Sequence, residues 1–265
     1  MNFPIAEIFS EEQLVSEAQG FLGGQRVVTS QRCPDKTTAN EDTCLFLQLG
    51  ASTGVMAVAD GAGGHAAGRE ASQLAIDLLQ HELCGHGDQE NLRAPILNAI
   101  EACNRQLLDD GRGSATTLAV VEMQRNVMRH YLVGDSSIIL TGQRGAVRLQ
   151  TVPQSLVGYG IEAGLLDEDA ALEHDERHIV LNLLGTPDMR VEMGAPVKLQ
   201  RFDTLLLCSD GLTDNVTVTD AVEQFRKGNM VQALARLSAL ARSNMALANG
   251  HPDDLTIVLY RQGRG

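Results

Sequence analysis

The sequence predicts an α+β fold of mainly antiparallel sheets with helices packed outside them. Three observations predict it. Strand-like runs outnumber helical ones, turn residues join several of them closely, and apolar residues make up 43% of 265, enough for a sizeable core. A parallel doubly wound sheet needs a helix-length crossover between successive strands. Here Gln124-Arg125-Asn126 alone separates two strand-like runs, and 142–145 supplies another short turn.

In chain order, the first 22 residues read as an N-terminal appendage, with Ser10-Glu11-Glu12-Gln13 resembling a capped helix start. A single domain over 23–265 follows. Apolar, β-branched runs predict strands at 43–49, 55–59, 116–123, 127–133, 137–141, 204–208 and 255–261. Helical spacing of Ala71, Leu74, Ala75, Leu78, Leu79 and Leu83 predicts a helix over 69–83. Val231, Leu234, Leu237, Leu240, Ala241 and Met245 predict another over 230–245, and a third covers 90–107. These stripes face the core. The polar, Gly-rich segment 158–176 reads as an irregular excursion near a site.

Composition excludes several function classes. Aromatics are 3% with no Trp, so base-stacking platforms are not expected. A formal charge of -13 disfavours nucleic acid and anionic membrane surfaces. Five cysteines without a CxxC pair read as reduced thiols of a cytoplasmic protein. No run approaches the roughly 18 apolar residues of a membrane helix, and no signal peptide is expected from the first residues.

The chemistry collects at strand ends. Val55-Met56-Ala57-Val58-Ala59 runs into Asp60-Gly61, Tyr131-Leu132-Val133 into Gly134-Asp135, and Leu205-Leu206-Leu207-Cys208-Ser209 into Asp210-Gly211. Asp42 and Asp253-Asp254 stand at strand starts. In antiparallel sheets the end of one strand lies beside the start of its neighbour, so these acids can gather at one edge. Such a cluster repels itself without a cation, and hard oxygen donors suit Mg2+ or Mn2+. Taken singly, each Asp is equally a turn or cap residue; the joint pattern points to metal.

Six segments in order resemble the Mg/Mn-dependent protein phosphatases of the type 2C class, in their bacterial branch. They are Asn40-Glu41-Asp42; Val58-Ala59-Asp60-Gly61-Ala62-Gly63-Gly64-His65; Gly113-Ser114-Ala115-Thr116-Thr117; Val133-Gly134-Asp135-Ser136; Leu206-Leu207-Cys208-Ser209-Asp210-Gly211-Leu212-Thr213-Asp214; and Asp253-Asp254-Leu255-Thr256. The resemblance implies a four-layer αββα sandwich. It implies two Mn2+ or Mg2+ ions in a core site, with Asp60 bridging both, the Gly61 carbonyl on one, and Asp210 and Asp253 completing the first shell. Glu41 and Asp42 would act through bound water, and a third, looser site would use Asp135, Asp210 and Asp214. The implied activity is hydrolysis of phosphoserine or phosphothreonine in proteins, opposing a Ser/Thr kinase in signalling. Segment 158–176 would be the flap that meets substrates.

This chain departs from the family pattern where phosphate is bound. Thr37 stands at the usual Arg position, and the adjacent Lys36 is the candidate substitute, without Arg's bidentate fork. Ser137 replaces another Arg, Pro153-Gln154-Ser155 an Asp-His-Ser, and Asp254 an Asn. An alternative reading is therefore a catalytically weak member that binds phosphoproteins as a regulatory module. His65 is a candidate general acid, or a residue packing against the following helix. His174 and His178 have zinc-pair spacing but no third ligand, which reads as solvated surface.

Overall fold

The computed structural model describes residues 3–62, 66–85 and 91–263. In chain order the strands are β1 (Ile5–Phe9), β2 (Gln19–Phe21), β3 (Gly24–Gln31), β4 (Thr43–Gln48), β5 (Thr53–Ala59), β6 (Gly61–Ala62), β7 (Ala115–Thr116), β8 (Leu118–Gln124), β9 (Val127–Val133), β10 (Ser137–Thr141), β11 (Val147–Gln150), β12 (Glu192–Met193), β13 (Val197–Lys198), β14 (Thr204–Cys208) and β15 (Leu255–Arg261). The helices are α1 (Ala66–Cys84), α2 (Arg93–Asp110), α3 (Leu156–Glu162), α4 (Glu168–Leu172), α5 (Asp210–Thr213), α6 (Val218–Phe225) and α7 (Met230–Met245).

Two large sheets form, in the orders β1-β4-β5-β8-β9-β12, with β13 also on β9, and β11-β10-β14-β15-β3-β2. Their pairings are antiparallel. The expected four-layer αββα sandwich is the observed one. Strand alternation builds it: Val55, Ala57 and Ala59 of β5 face one apolar layer with α1 and α2, while Met56 and Val58 face the layer between the sheets. On the second sheet, Leu205 and Leu207 point to that inner layer, while Leu206 and Cys208 pack with α6 and α7. Strands buried on both faces read as continuous apolar runs, which is why these were visible in the sequence.

The helix expected at Ser10 does not form. It would have only Leu14 and Val15 to bury, and Leu14 is 72% exposed; short helices are marginal without packing. Instead β1 pairs residue by residue with β4, from Ile5 opposite Gln48 to Phe9 opposite Cys44. Gln13 exchanges both backbone hydrogen bonds with Ser30, at 2.7 and 2.8 Å. Residues 5–9 and 19–21 thus lie on the edges of the two sheets. The segment 158–176, expected to be irregular, carries most of α3 and all of α4, each with a side-chain cap: Ser155 accepts from Gly158 N and Asp167 from Ala170 N. The third helix begins at Arg93 rather than at 90. The β8–β9 turn is Arg125-Asn126, both left-handed (φ 50° and 52°), the geometry of a two-residue type I′ hairpin.

Among the described residues, no helix is long and apolar enough to cross a membrane.

Candidate metal centre

Register brings the acids to one edge. Thr43 at the start of β4 lies opposite Ala59 at the end of β5, and Leu118 of β8 opposite Val133 of β9. In the second sheet Ser137 of β10 lies opposite Cys208 of β14, and Cys208 opposite Ile257 of β15. Asp42, Asp60, Asp135, Asp210 and Asp253 flank these positions, so all five stand at the same end of the sandwich.

Gly61, Gly68 and Gly211 serve close approach rather than turning. A Cβ on Gly61 would fall 2.1 Å from the Gly68 carbonyl oxygen, and one on Gly68 would fall 2.4 Å from Glu41 Oε2. A Cβ on Gly211 would meet the Asp254 carbonyl at 2.0 Å. Any side chain there would push α1 or β15 away from the acids. Gly134 has a left-handed φ, +99°, which lets the chain turn sharply into Asp135.

Hydroxyls and amides hold the acids. Thr117 Oγ1 accepts from Asp60 N–H at 3.0 Å, and Thr116 Oγ1 donates to the Asp60 carbonyl at 2.8 Å. Ser209 Oγ donates to Asp42 Oδ2 at 2.8 Å, and Asn40 Oδ1 accepts from Asp42 N–H at 3.0 Å. Gln154 Oε1 accepts from Gly134 N–H at 2.8 Å and from Asn182. These supporting roles of Ser209, Thr116, Thr117 and Gln154 were not read from the sequence. Ser209 is marked only as a small hydroxyl beside Asp210, and Thr116 and Thr117 only as part of a matching motif.

The carboxylates are crowded and under-partnered. Asp42 Oδ1, Asp135 Oδ1, Asp210 Oδ1 and Asp214 Oδ2 are buried without a hydrogen bond. Burial first, then the neighbouring carboxylates, pushes Asp60 and Asp210 well above the usual carboxylate range. Burial and Asp254 push Asp42 to about 7 against the hydrogen bonds from Thr256 and Ser209. Burial pushes Asp135 and Asp253 to about 6. Asp214 rises to about 8 through burial and the charge of Asp135. Its Oδ2 lies 3.3 Å from His251 Nδ1, a contact without hydrogen-bonding geometry. Among the described residues no three His, Cys, Asp or Glu side chains close into a ready-made ion group. What stands at the edge is a ring of repelling carboxylates with free oxygens. Orphaned hard oxygen donors of this kind suit Mn2+ or Mg2+, with carbonyl and water oxygens completing the shell.

Other expected residues fall as follows. Glu41 is buried beside the Gly61–Gly68 contact. Lys36 lies at the same edge, with Nζ 3.0 Å from Glu41 Oε1 and 2.7 Å from Asp254 Oδ2. Burial opposes its charge, but hydrogen bonds and attraction from Asp254 and Glu41 win and push its pKa up. His65 lies outside the described residues. His174 and His178 follow α4 rather than sharing a helix face.

An αββα sandwich with carboxylates gathered at one end of its sheets is the frame of a metal-dependent protein phosphatase. Residues 31–247 match the family described as Protein phosphatase 2C. The serine/threonine phosphatase stp of Listeria welshimeri is 31% identical over 235 residues, covering 84% of this chain and 90% of that protein. The solved serine/threonine phosphatase PstP/Ppp of Mycobacterium tuberculosis superposes with a TM-score of 0.75 at 26% identity, over 95% of this chain and 100% of the other. The catalytic domain of PstP solved in complex with two manganese ions gives a TM-score of 0.73 at 27% identity, over 90% and 97%. The chain belongs to the protein phosphatase 2C family.

Proposed function

We propose that this phosphatase removes phosphate from phosphoserine and phosphothreonine in proteins, at a two-ion Mn2+ or Mg2+ centre. The observation that carries the reading is the set of carboxylates Asp42, Asp135, Asp210 and Asp214 gathered at one end of the sandwich, each with a buried oxygen that has no hydrogen bond. Bound divalent ions would neutralise the phosphoryl oxygens and make a water acidic enough to attack. Asp60, the Gly61 carbonyl, Asp210 and Asp253 would hold the core pair, and Asp135 and Asp214 with Asp210 a third, looser ion. Glu41 and Asp42 would orient the attacking water. With Oδ2 engaged by Ser209, Asp42 keeps Oδ1 to accept the water's proton. His65 is the proposed donor to the leaving alkoxide. The sandwich contributes positioning, which is most of what phosphoryl transfer needs. The five cysteines are free, which fits a reducing cytoplasm; a Ser/Thr kinase would write the substrate pool.

The test is phosphate release from an aryl phosphate and a phosphothreonine peptide with chelator, Mg2+ or Mn2+, beside Asp60→Asn. Metal-dependent release lost in the variant is expected; full activity in Asp60→Asn would refute the site. One observation favours a second reading, a phosphoprotein-binding module with weak turnover: Lys36, beside the missing Arg, is already held by two carboxylates. Tight phosphopeptide binding with negligible release would select it.

A further inference from the structure

Asp254 is 3% exposed, and its carboxylate takes three donors. Cys33 N–H reaches Oδ1 at 2.6 Å, while Glu41 N–H and Lys36 Nζ each reach Oδ2 at 2.7 Å. All three donors come from the loop between β3 and β4; the acceptor is the residue just before β15. The Asp254 carbonyl meanwhile packs on Gly211 at the start of α5. Asp254 is therefore where the Glu41–Asp42 loop, β15 and α5 meet. Three donors on one side chain need both oxygens of a carboxylate. A buried carboxylate among other carboxylates also needs a cation. Lys36 supplies that cation and, through its second contact, fixes the Glu41 side chain as well.

We propose that Lys36 is a positioning residue, a latch that holds Glu41 and the Asp253–Asp254 lead into β15 in register, and does not itself bind the substrate phosphate. Two of its three N–H directions are committed to carboxylates. Any movement toward a phosphate would loosen its hold on both acids. The pair Lys36–Asp254 then acts as one unit. An Asn at 254 would remove the buried charge that Lys36 neutralises while its carbonyl oxygen still accepts one loop N–H, so the substitutions at 36 and 254 are expected to be non-additive. The kinetic consequences rest on the phosphatase reading; the latch itself does not.

The experiment is a double-mutant cycle in the full chain: Lys36→Met, Asp254→Asn and both together. The readouts are Mn2+-dependent kinetics on a phosphothreonine peptide and unfolding midpoints in chelator. Lys36→Met is expected to lower kcat about tenfold, leave KM within about twofold and raise the Mn2+ needed for half-maximal rate. The double variant is expected to recover kcat to within about threefold of the parent, and the midpoints to show the same non-additivity without any turnover. A KM raised about tenfold in both Lys36→Met and the double variant, with kcat kept, would mean Lys36 holds the phosphate and would overturn the proposal. Additive losses in the midpoints would overturn it too. A parent chain with no metal-dependent release would sink the phosphatase reading alone, since the unfolding cycle still decides whether the latch exists.

Discussion

Arg26 and Asp42 are both buried charged side chains of this sandwich, 2% and 0% exposed, and their surroundings treat them in opposite ways. Arg26 on β3 is closed off. Its guanidinium donates to Glu7 and Gln19, and it lies 4.0 Å over the Phe46 ring and 5.9 Å from that of Phe9. Charge, donors and flat face all find partners drawn from β1, β2 and β4. Asp42 is left open: one oxygen is engaged by Ser209, the other is unpartnered, and its neighbours are further carboxylates. A saturated buried charge joins the sheets. An unsaturated set costs stability, a cost that the proposed metal ions would offset.

The contrast breaks most sharply if one acid is neutralised. Asp210→Asn is expected to cut metal-dependent turnover roughly 100-fold or more. It should also raise the unfolding midpoint of the chelated chain, because a repelling carboxylate has gone. Unchanged turnover, or a lower chelated midpoint, would contradict the assignment.

A pH series sharpens it next. The folded pKa values of Asp135, Asp253, Asp42 and Asp214, at about 6, 6, 7 and 8, lie above the roughly 4 of an unfolded carboxylate. The metal-free native state then holds more protons than the unfolded chain across that window. The contribution of these groups is full below about pH 4 and is lost as pH rises through about 6 to 8. Unfolding in chelator should therefore show a lower midpoint at about pH 8 than at about pH 5.5. Saturating Mn2+ should remove the drop and add about 2.7 kcal/mol at a hundred times its Kd. A flat chelated profile would remove the repulsion argument.

Arg26→Met tests the closed charge. It is expected to cost about 2 kcal/mol, a figure kept low because Glu7 is 43% exposed and can rehydrate. The loss should be equal with chelator or Mn2+, and kcat should not change; a metal-dependent loss would join the two regions. Smallest is Asn229→Ala, which removes the cap that accepts from Gln232 N at the start of α7. About 1 kcal/mol and no kinetic effect are expected from denaturant and rate measurements.

The sequence discloses what is apolar and periodic, and it hides what is polar and buried. β9, β10, β14, β15 and α7 match their expected bounds because each is a run of core residues with an ordinary period. β3 escaped notice because Arg26, Thr29 and Ser30 are buried by hydrogen bonding rather than by hydrophobicity, so no alternation marks it. β1 leaves no local mark in the sequence because an edge strand needs a partner, and its partner β4 lies more than thirty residues on. The acids were visible as strand-end residues. Their supports were not: Ser209 reaches Asp42 across 167 residues, and Lys36 reaches Asp254 across 218.

The strand order also sets a schedule. β4, β5, β8 and β9 pair largely with their neighbours in sequence, and β8 and β9 close through a two-residue turn, so the first sheet can assemble as the chain emerges. The second cannot, because β15 inserts between β14 and β3, and the Ser30–Thr256 hydrogen bond closes a loop of 226 residues. During synthesis, Asp42, Asp60 and Asp135 exist long before Asp253 reaches them. On the proposed metal centre, the nascent chain would carry an incomplete ligand set until its folding is nearly finished, and metal would be captured at the end of assembly rather than used to begin it.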